Sequence, residues 1–356
     1  MSSWETNIRR VVPYVPGEQP KETDVIKLNT NENPYPPAKG VMEALKNVNA
    51  DALRKYPDPA AEVLVSAIAR RMGLGKDQVF VGVGSDDVLA MSFLTFFNSG
   101  KPILFPDITY SFYDVWADVF RIPYECQPLN DRFEIEPEDY RKENGGIIFP
   151  NPNAPTGVLM PLEQVEAIIA ANPDVVVVVD EAYIDFGGVS AIPMIEKYEN
   201  LLVVQTFSKS RSLAGMRIGY ACGSPKLIKY LNDVKYSFNS YTMDAATLAA
   251  GTASVLDEAY FQETRQKIIN TRERVKGELR ALGFAFADSK ANFLFASHKD
   301  CSAKELFEAL KKENIYVRYF NKPRIDQYLR ITIGTDEQMD RLLAFLKNYL
   351  AERKQG

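Results

Sequence analysis

One stretch constrains this chain more than any other: "DVVVVVDEAYIDF", in which Val175 to Val179 are apolar at every position and Asp180 follows at once. A strand with one face in water alternates apolar and polar residues, whereas a run without alternation fits a strand covered on both faces. The chain is therefore expected to hold a mostly parallel sheet flanked by helices. Similar runs recur in "QVFVGV", "PILFP", "PYECQPL", "GGIIFP", "NLLVVQTF" and "RIGYACG". Between them lie segments with helical spacing, "SDDVLAMSFLTFF", "SFYDVWADVF", "PLEQVEAIIAA" and "PKLIKYLNDVKY". Alternation of this kind predicts a doubly wound α/β domain.

The pattern changes near residue 245. A long charged helical segment is expected from about Ala246 to Leu282, with its charges on a solvated face. It is followed by "FAFADSKANFLFA", a helix in "SAKELFEALKKEN", strands in "IYVRYF" and "QYLRITIG", and a closing helix in "TDEQMDRLLAFLKNYLAERK". These read as a smaller α+β domain. The expected division is a large α/β domain over 30–245 and a small domain made of 1–29 and 246–356. The start of the chain, with "VPYVPGEQP" and "NTNENPYPP", is expected to be irregular.

Composition narrows the function. The chain has 356 residues, 46% hydrophobic and 25% charged, as in ordinary globular proteins. Its net charge of -5 argues against nucleic acid as the main partner, since phosphate backbones call for a basic field. No apolar run approaches the ~20 residues of a membrane span, and "MSSWETNIRR" lacks the apolar core of a secretory signal. A cytoplasmic protein is the expectation. Cys126, Cys222 and Cys301 are too few and too scattered for a disulfide framework or a zinc cluster. The single histidine, His298, excludes a multi-histidine metal site within the chain, and no G-x-S-x-G elbow accompanies it. Proton chemistry is left to Lys, Tyr, Asp, Glu or a cofactor.

Three stretches put unusual residues where strands end, which is where open α/β sheets bind ligands. Asp180 closes the most apolar strand, and a carboxylate there is costly unless a cation or hydrogen bonds meet it. Tyr183 follows. Lys209, in "TFSKSRSLAGMRIGY", closes "LLVVQTF"; a lysine of lowered pKa is a nucleophile for carbonyls. Thr206, Ser208 and Arg217 around it suit a phosphate. In "VGVGSDDVL", Gly82 and Gly84 lie between a strand and a helix, but Asp87 stands where a dinucleotide fingerprint has its third glycine. As a cradle for one phosphate the stretch is adequate, and Asp86 and Asp87 suit a helix start. A carbonyl-binding lysine, an acid for a ring nitrogen and a phosphate cradle are together what pyridoxal 5'-phosphate requires.

"TFSKSRSLAGMRIGY", "NPNAPTGV" and "DEAYIDF" resemble, in order and separation, the lysine, Asn-Pro-Thr-Gly and Asp-x-x-Tyr motifs of the fold-type-I, class I/II aminotransferases. The resemblance covers nearly the whole chain. It implies that Lys209 bonds the cofactor aldehyde, Asp180 pairs with the pyridinium nitrogen and Tyr183 bonds the ring oxygen. Tyr110 would stack on the ring. Gly84, Ser85 and Asp86 would hold the phosphate with Thr206, Ser208 and Arg217. Tyr56, in "RKYPDP", would reach the phosphate of a neighbouring subunit, which implies a homodimer with shared sites. Where the family usually has Asn before Pro-Thr-Gly this chain has Ala154; either Asn153 takes over its contact with the ring oxygen, or Tyr183 carries that contact alone.

"YVPGEQP", "LNTNENPYPP", "RKYPDP" and "YLRITIGT" look like the branch of that family acting on histidinol phosphate, with glutamate and 2-oxoglutarate as the other pair. Arg330 matches the carboxylate-binding arginine and Arg318 the position associated with substrate phosphate. Tyr14 and Asn33 lie in segments that resemble those closing over the substrate. Threonine-phosphate decarboxylase, an aromatic or general aminotransferase, and a noncatalytic pyridoxal-phosphate-binding regulator remain as alternatives.

Overall fold

A computed structural model describes residues 3–21 and 24–355. Met1, Ser2, Glu22, Thr23 and Gly356, all assigned above to the small domain, lie outside the described residues. The chain begins with β1 (Ile26–Lys27), α1 (Lys39–Lys46), α2 (Glu62–Met72), β2 (Val79–Val83), α3 (Gly84–Phe96), β3 (Ile103–Pro106) and α4 (Tyr113–Phe120). It continues through β4 (Tyr124–Gln127), β5 (Ile147–Pro150), α5 (Leu162–Ala171), β6 (Val177–Asp180), β7 (Leu201–Thr206), β8 (Ile218–Gly223), α6 (Pro225–Phe238) and α7 (Ala245–Leu256). The last part holds α8 (Glu258–Ala281), β9 (Phe284–Phe286), β10 (Phe293–His298), α9 (Ala303–Lys312), β11 (Ile315–Tyr316), β12 (Arg318–Tyr319), β13 (Leu329–Thr332) and α10 (Asp336–Gln355).

Seven strands form the main sheet in the order β2-β8-β7-β6-β5-β3-β4. Every neighbouring pair is parallel except the two made by β8, which runs against both β2 and β7. The unalternating runs are explained by two dry faces. Val177 and Val179 share one apolar cluster with Ile147, Phe149, Leu201 and Val203. Val178 points the other way and packs with Ile148, Leu202 and Val204. Branched side chains, stiff at χ1, fill the pleat on both sides. The fold is thus the expected α/β architecture with a mostly parallel central sheet.

A second, antiparallel sheet has the order β12-β13-β10-β9, and a two-stranded parallel pair joins β1 to β11. Their core combines Ile268, Val275 and Leu279 of α8 with Phe293 and Leu294 of β10 and Leu342 and Leu346 of α10. "IYVRYF" is not one strand. Ile315 and Tyr316 pair with β1, then the chain changes sheets at Val317, and Arg318 and Tyr319 pair with β13. The long charged segment is likewise two helices. Asp257, at φ -94° and ψ 70°, leaves the helical region and its side chain accepts a hydrogen bond from the Tyr260 backbone N–H. That carboxylate caps α8 and so divides it from α7.

We propose two domains, one around the large sheet and one around the small, divided in outline as the sequence suggests (30–245 against 1–29 with 246–356) but not at residue 245. The boundary moves toward Asp257, because α7 buries Ala250 and Val255 in the core of the large sheet. Loss of the cap is the direct test of the break: Asp257→Ala costs about 1 kcal/mol, read as a lower urea midpoint, whereas Asp257→Asn, which keeps a side-chain acceptor, costs a few tenths at most.

Candidate active site

Register assembles the site. β2, β5, β6 and β7 point the same way, so their carboxyl ends lie on one edge of the sheet. Pro150 stands beside Asp180, and Asp180 beside Val204. Because β8 is reversed, it begins at that edge, with Ile218 opposite Val83 and Gly219 opposite Thr206. Arg217, the residue before β8, therefore stands between the ends of β2 and β7. The edge opens into a cavity of about 250 Å³, whose walls include Ser85, Asp86, Tyr110, Asp180, Tyr183, Thr206, Ser208, Lys209, Arg217, Arg318 and Arg330.

Asp180 is buried at the floor. The Tyr113 hydroxyl donates to its Oδ2 at 2.9 Å and the Ala182 backbone N–H to its Oδ1 at 3.2 Å. Burial pushes the carboxyl from 3.8 up to about 6, with the Tyr113 hydrogen bond holding it back. Among the described residues no cation pairs with it within 4 Å. The same burial and the Asp180 charge push the Tyr113 phenol well above its usual range, so Tyr113 stays a donor. Glu181 points to the opposite side of the strand end, where Ser190, the Ala191 backbone and Gln205 donate to it, and burial raises its carboxyl to about 7.

Lys209 reaches into the cavity from the loop after β7. Its Nζ donates to the Thr30 carbonyl at 3.1 Å and lies 5.8 Å from the centre of the Tyr183 ring. Tyr183 is held from outside by Asn31, whose Nδ2 donates to the phenol oxygen at 2.9 Å. At the other end, Gly84 opens α3 with φ 83°, and a Cβ there would stand 2.4 Å from Arg217 Nη2. A Cβ at Gly219 would stand 2.2 Å from the Ser85 backbone nitrogen. Gly219 is required by the close approach of β8 to the helix start, and Gly84 by its positive φ beside the Arg217 side chain. Ser85, Thr206, Ser208 and Arg217 converge there, and the Thr206 hydroxyl donates to Ser208 Oγ at 3.1 Å.

At the mouth, Arg330 leans on Phe293 and Phe320, with Nη2 donating to the Asn29 carbonyl at 3.0 Å. Its Nε is buried without a partner, and burial lowers the guanidinium pKa. Arg318 donates to the Val15 and Pro16 carbonyls. Tyr14 stacks on Phe112 at 4.1 Å.

Residues 23–346 match the family of class I and II aminotransferases. The chain belongs to that family. It is 52% identical over 354 residues, 99% of each chain, to a histidinol-phosphate aminotransferase of Lactococcus lactis subsp. cremoris. It is also 52% identical over 352 residues, 99% of this chain and 98% of the other, to one from Clostridium beijerinckii. Among solved structures, histidinol-phosphate aminotransferase from Sinorhizobium meliloti in complex with pyridoxal-5'-phosphate superposes with a TM-score of 0.84 at 25% identity, covering 92% of this chain and 91% of that one.

The cavity of this aminotransferase fits pyridoxal phosphate. A buried carboxylate without a cation at one end suits a pyridinium nitrogen. A glycine-lined helix start with an arginine and two hydroxyls suits a phosphate. Lys209 stands between them. Three sequence expectations change. Asn153 does not face the cavity: its Nδ2 donates to the Ile108 carbonyl and to Thr156 Oγ1, each at 3.0 Å, and Ala154 lines the wall instead. Asn33 does not touch the substrate space; its amide donates to the Lys209 carbonyl at 2.9 Å and steadies the lysine loop. The Asp86 carboxylate offers no donor to a phosphate. It accepts from Tyr110 OH at 2.7 Å and Arg217 Nη2 at 2.8 Å, and so clasps two of the expected cofactor contacts. Tyr56 is 81% exposed, stacked on Tyr241, and away from this chain's own cavity. Tyr113 and Asn31 were not singled out from the sequence. Tyr113 reads there as one more apolar-face residue of a helix, and Asn31 as one of several loop asparagines.

The raised Asp180 carboxyl links the site to stability. Between pH about 4 and about 6 the folded chain holds a proton that the unfolded chain has released, so stability from this group is full at low pH and lost as pH rises through that window. In the cofactor-free protein, Asp180→Asn is therefore stabilising near pH 8, by up to about 3 kcal/mol. The gain vanishes below about pH 4; urea unfolding at the two pH values checks both the sign and the window.

Proposed function

We propose that this aminotransferase moves the amino group of L-histidinol phosphate to 2-oxoglutarate, reversibly, giving imidazole acetol phosphate and L-glutamate in histidine biosynthesis, with pyridoxal 5'-phosphate bound at Lys209. The observation that carries the reading is the buried, cation-free Asp180 carboxylate sharing one cavity with Lys209, a phosphate-binding corner and two arginines at the mouth. The whole-length identity to histidinol-phosphate aminotransferases supports the substrate.

When bound, pyridoxal phosphate supplies an aldehyde that takes up the amino group and a ring that spreads the charge left on the substrate α-carbon. The protein's part is orientation, electrostatics and proton transfer. Asp180, held in place by Tyr113, would keep the proton on the ring nitrogen. Tyr183 would donate to the ring oxygen, and Tyr110 would pack against the ring. Thr206, Ser208 and Arg217, with the backbone of Gly84 and Ser85, anchor the phosphate so that the ring does not drift during exchange. Lys209 would hold the cofactor aldehyde, and its free amine would serve as the base and acid that move a proton at the substrate α-carbon. Arg330 takes the glutamate carboxylate and Arg318 the substrate phosphate, since a guanidinium fork matches either anion.

The active form is a homodimer with shared sites, in which Tyr56 reaches the cofactor phosphate of the partner. Exposed Leu53, Tyr56, Phe238 and Tyr241 support this. No helix among the described residues is long and apolar enough to cross a membrane, and the reading places the enzyme in the cytoplasm.

Incubation with histidinol phosphate and 2-oxoglutarate yields glutamate; release of carbon dioxide from threonine phosphate in place of glutamate overturns the assignment. Borohydride bleaches the visible absorbance and fixes the label at Lys209, and Lys209→Ala lowers kcat by about 10²- to 10⁴-fold or more. Arg318→Ala raises KM for histidinol phosphate by about 10- to 100-fold, the worth of a charged hydrogen bond, and leaves KM for glutamate nearly unchanged.

A further inference from the structure

The corner of the cavity around the Tyr183 hydroxyl is assembled from outside the large sheet. Ala154 offers it only a methyl group, and the Asn153 amide is engaged with Ile108 and Thr156. Among the described residues, the amide that meets the phenol oxygen is that of Asn31, at 2.9 Å. Asn31 has little freedom to do anything else. It is 1% exposed and sits in the left-handed region at φ 57°. Its backbone N–H donates to Thr332 Oγ1 at 3.1 Å, and the Thr332 hydroxyl donates back to Asn31 Oδ1 at 3.0 Å. Its carbonyl accepts from Asn292 Nδ2 at 3.0 Å. With Oδ1 engaged by Thr332, the amide can turn only its NH₂ toward Tyr183. A phenol oxygen that accepts a hydrogen bond keeps its own hydrogen to donate elsewhere.

We propose that Asn31 is a positioning residue for the transamination reaction. By donating to the Tyr183 oxygen it turns the phenol hydrogen into the cavity, onto the ring oxygen of the cofactor. The inference rests on the reading that this cavity holds pyridoxal phosphate. The ionisable groups that face Tyr183 are Lys209 and Arg330 and the phenols Tyr110 and Tyr113. None of them is removed when Asn31 is truncated. A donor to the ring oxygen favours its deprotonated form, so a misdirected donor moves the titration of the bound cofactor to higher pH.

The test is a pH titration of the visible absorbance of the holoenzyme. Asn31→Gly suits the left-handed backbone and removes only the side chain; Asn31→Ala is the second variant should the first not fold. The truncation raises the midpoint by about one unit, a tenfold change in the proton equilibrium, and Tyr183→Phe raises it at least as much. In the Tyr183→Phe background the truncation adds nothing, because Asn31 acts only through the phenol. A midpoint unmoved by the truncation, or moved equally in both backgrounds, overturns the role of Asn31. Absence of any visible chromophore in the parent protein overturns instead the cofactor reading on which the role rests.

Discussion

A carboxylate kept from water at the end of a wholly apolar strand organises this site. Burying Asp180 raises its pKa to about 6 and leaves it, in the protein alone, without a cation. Such a group is costly unless something charged enters beside it. The surroundings are arranged to keep the carboxylate in one place without neutralising it: one phenol and one backbone N–H donate, and among the described residues no lysine or arginine pairs with it, Lys209 acting only from a distance. A protein selected for stability alone would fill the position with another valine. The retained charge makes the floor of the cavity complementary to a protonated ring and poorly matched to a neutral or anionic one.

The reversed strand β8 solves the opposite problem at the other end. A purely parallel sheet brings only strand ends to its ligand edge. One antiparallel strand brings a beginning, and with it Arg217, beside the start of α3. The helix start offers backbone donors and a positive dipole end, and the arginine adds a fixed guanidinium. Asp86 then holds Arg217 and Tyr110 with its two oxygens, so the phosphate corner and the ring-stacking side chain are set by one residue. Gly219 is needed because its backbone passes too close to that of Gly84 and Ser85 for a Cβ, and Gly84 because it opens the helix at positive φ against the Arg217 guanidinium.

Much of this was legible in the sequence. Unalternating runs such as "VVVVV" announce a strand dry on both faces, Asp180 and Lys209 stand out because each is a charge closing such a run, and Arg217 because it follows the lysine as a phosphate-matching donor. What was not legible depends on side-chain direction and on long-range contacts. Asn153 and Ala154 are neighbours, and only the backbone path decides which of them faces the cavity. Asn31 and Asn33 are two residues apart in one loop, yet the first meets Tyr183 and the second the carbonyl of Lys209. The helix break at Asp257 escapes a charge-pattern reading because the residues on either side are equally compatible with helix; the cap is visible only once the Tyr260 N–H is seen to turn onto the carboxylate.

These long-range contacts tie residues 29–31 to both sheets. The Thr30 carbonyl receives Lys209, Asn31 holds Tyr183, and the Asn29 carbonyl receives Arg330. Asn31 is in turn fixed by Thr332 of β13 and by Asn292 at the start of β10. Lys209 and Tyr183 therefore follow strands of the large sheet, while Thr30 and Asn31, which hold them, belong to a segment that is itself fastened to the small sheet. A shift of the small core that separates residues 29–31 from the large sheet breaks the Lys209–Thr30 and Tyr183–Asn31 bonds together, while the Asp180–Tyr113 pair and the Arg217 clasp, both internal to the large domain, stay intact. Asp180 and Arg217 are thus held within the large sheet and its helix α3, whereas Lys209 and Tyr183 are placed where the position of the small core is felt.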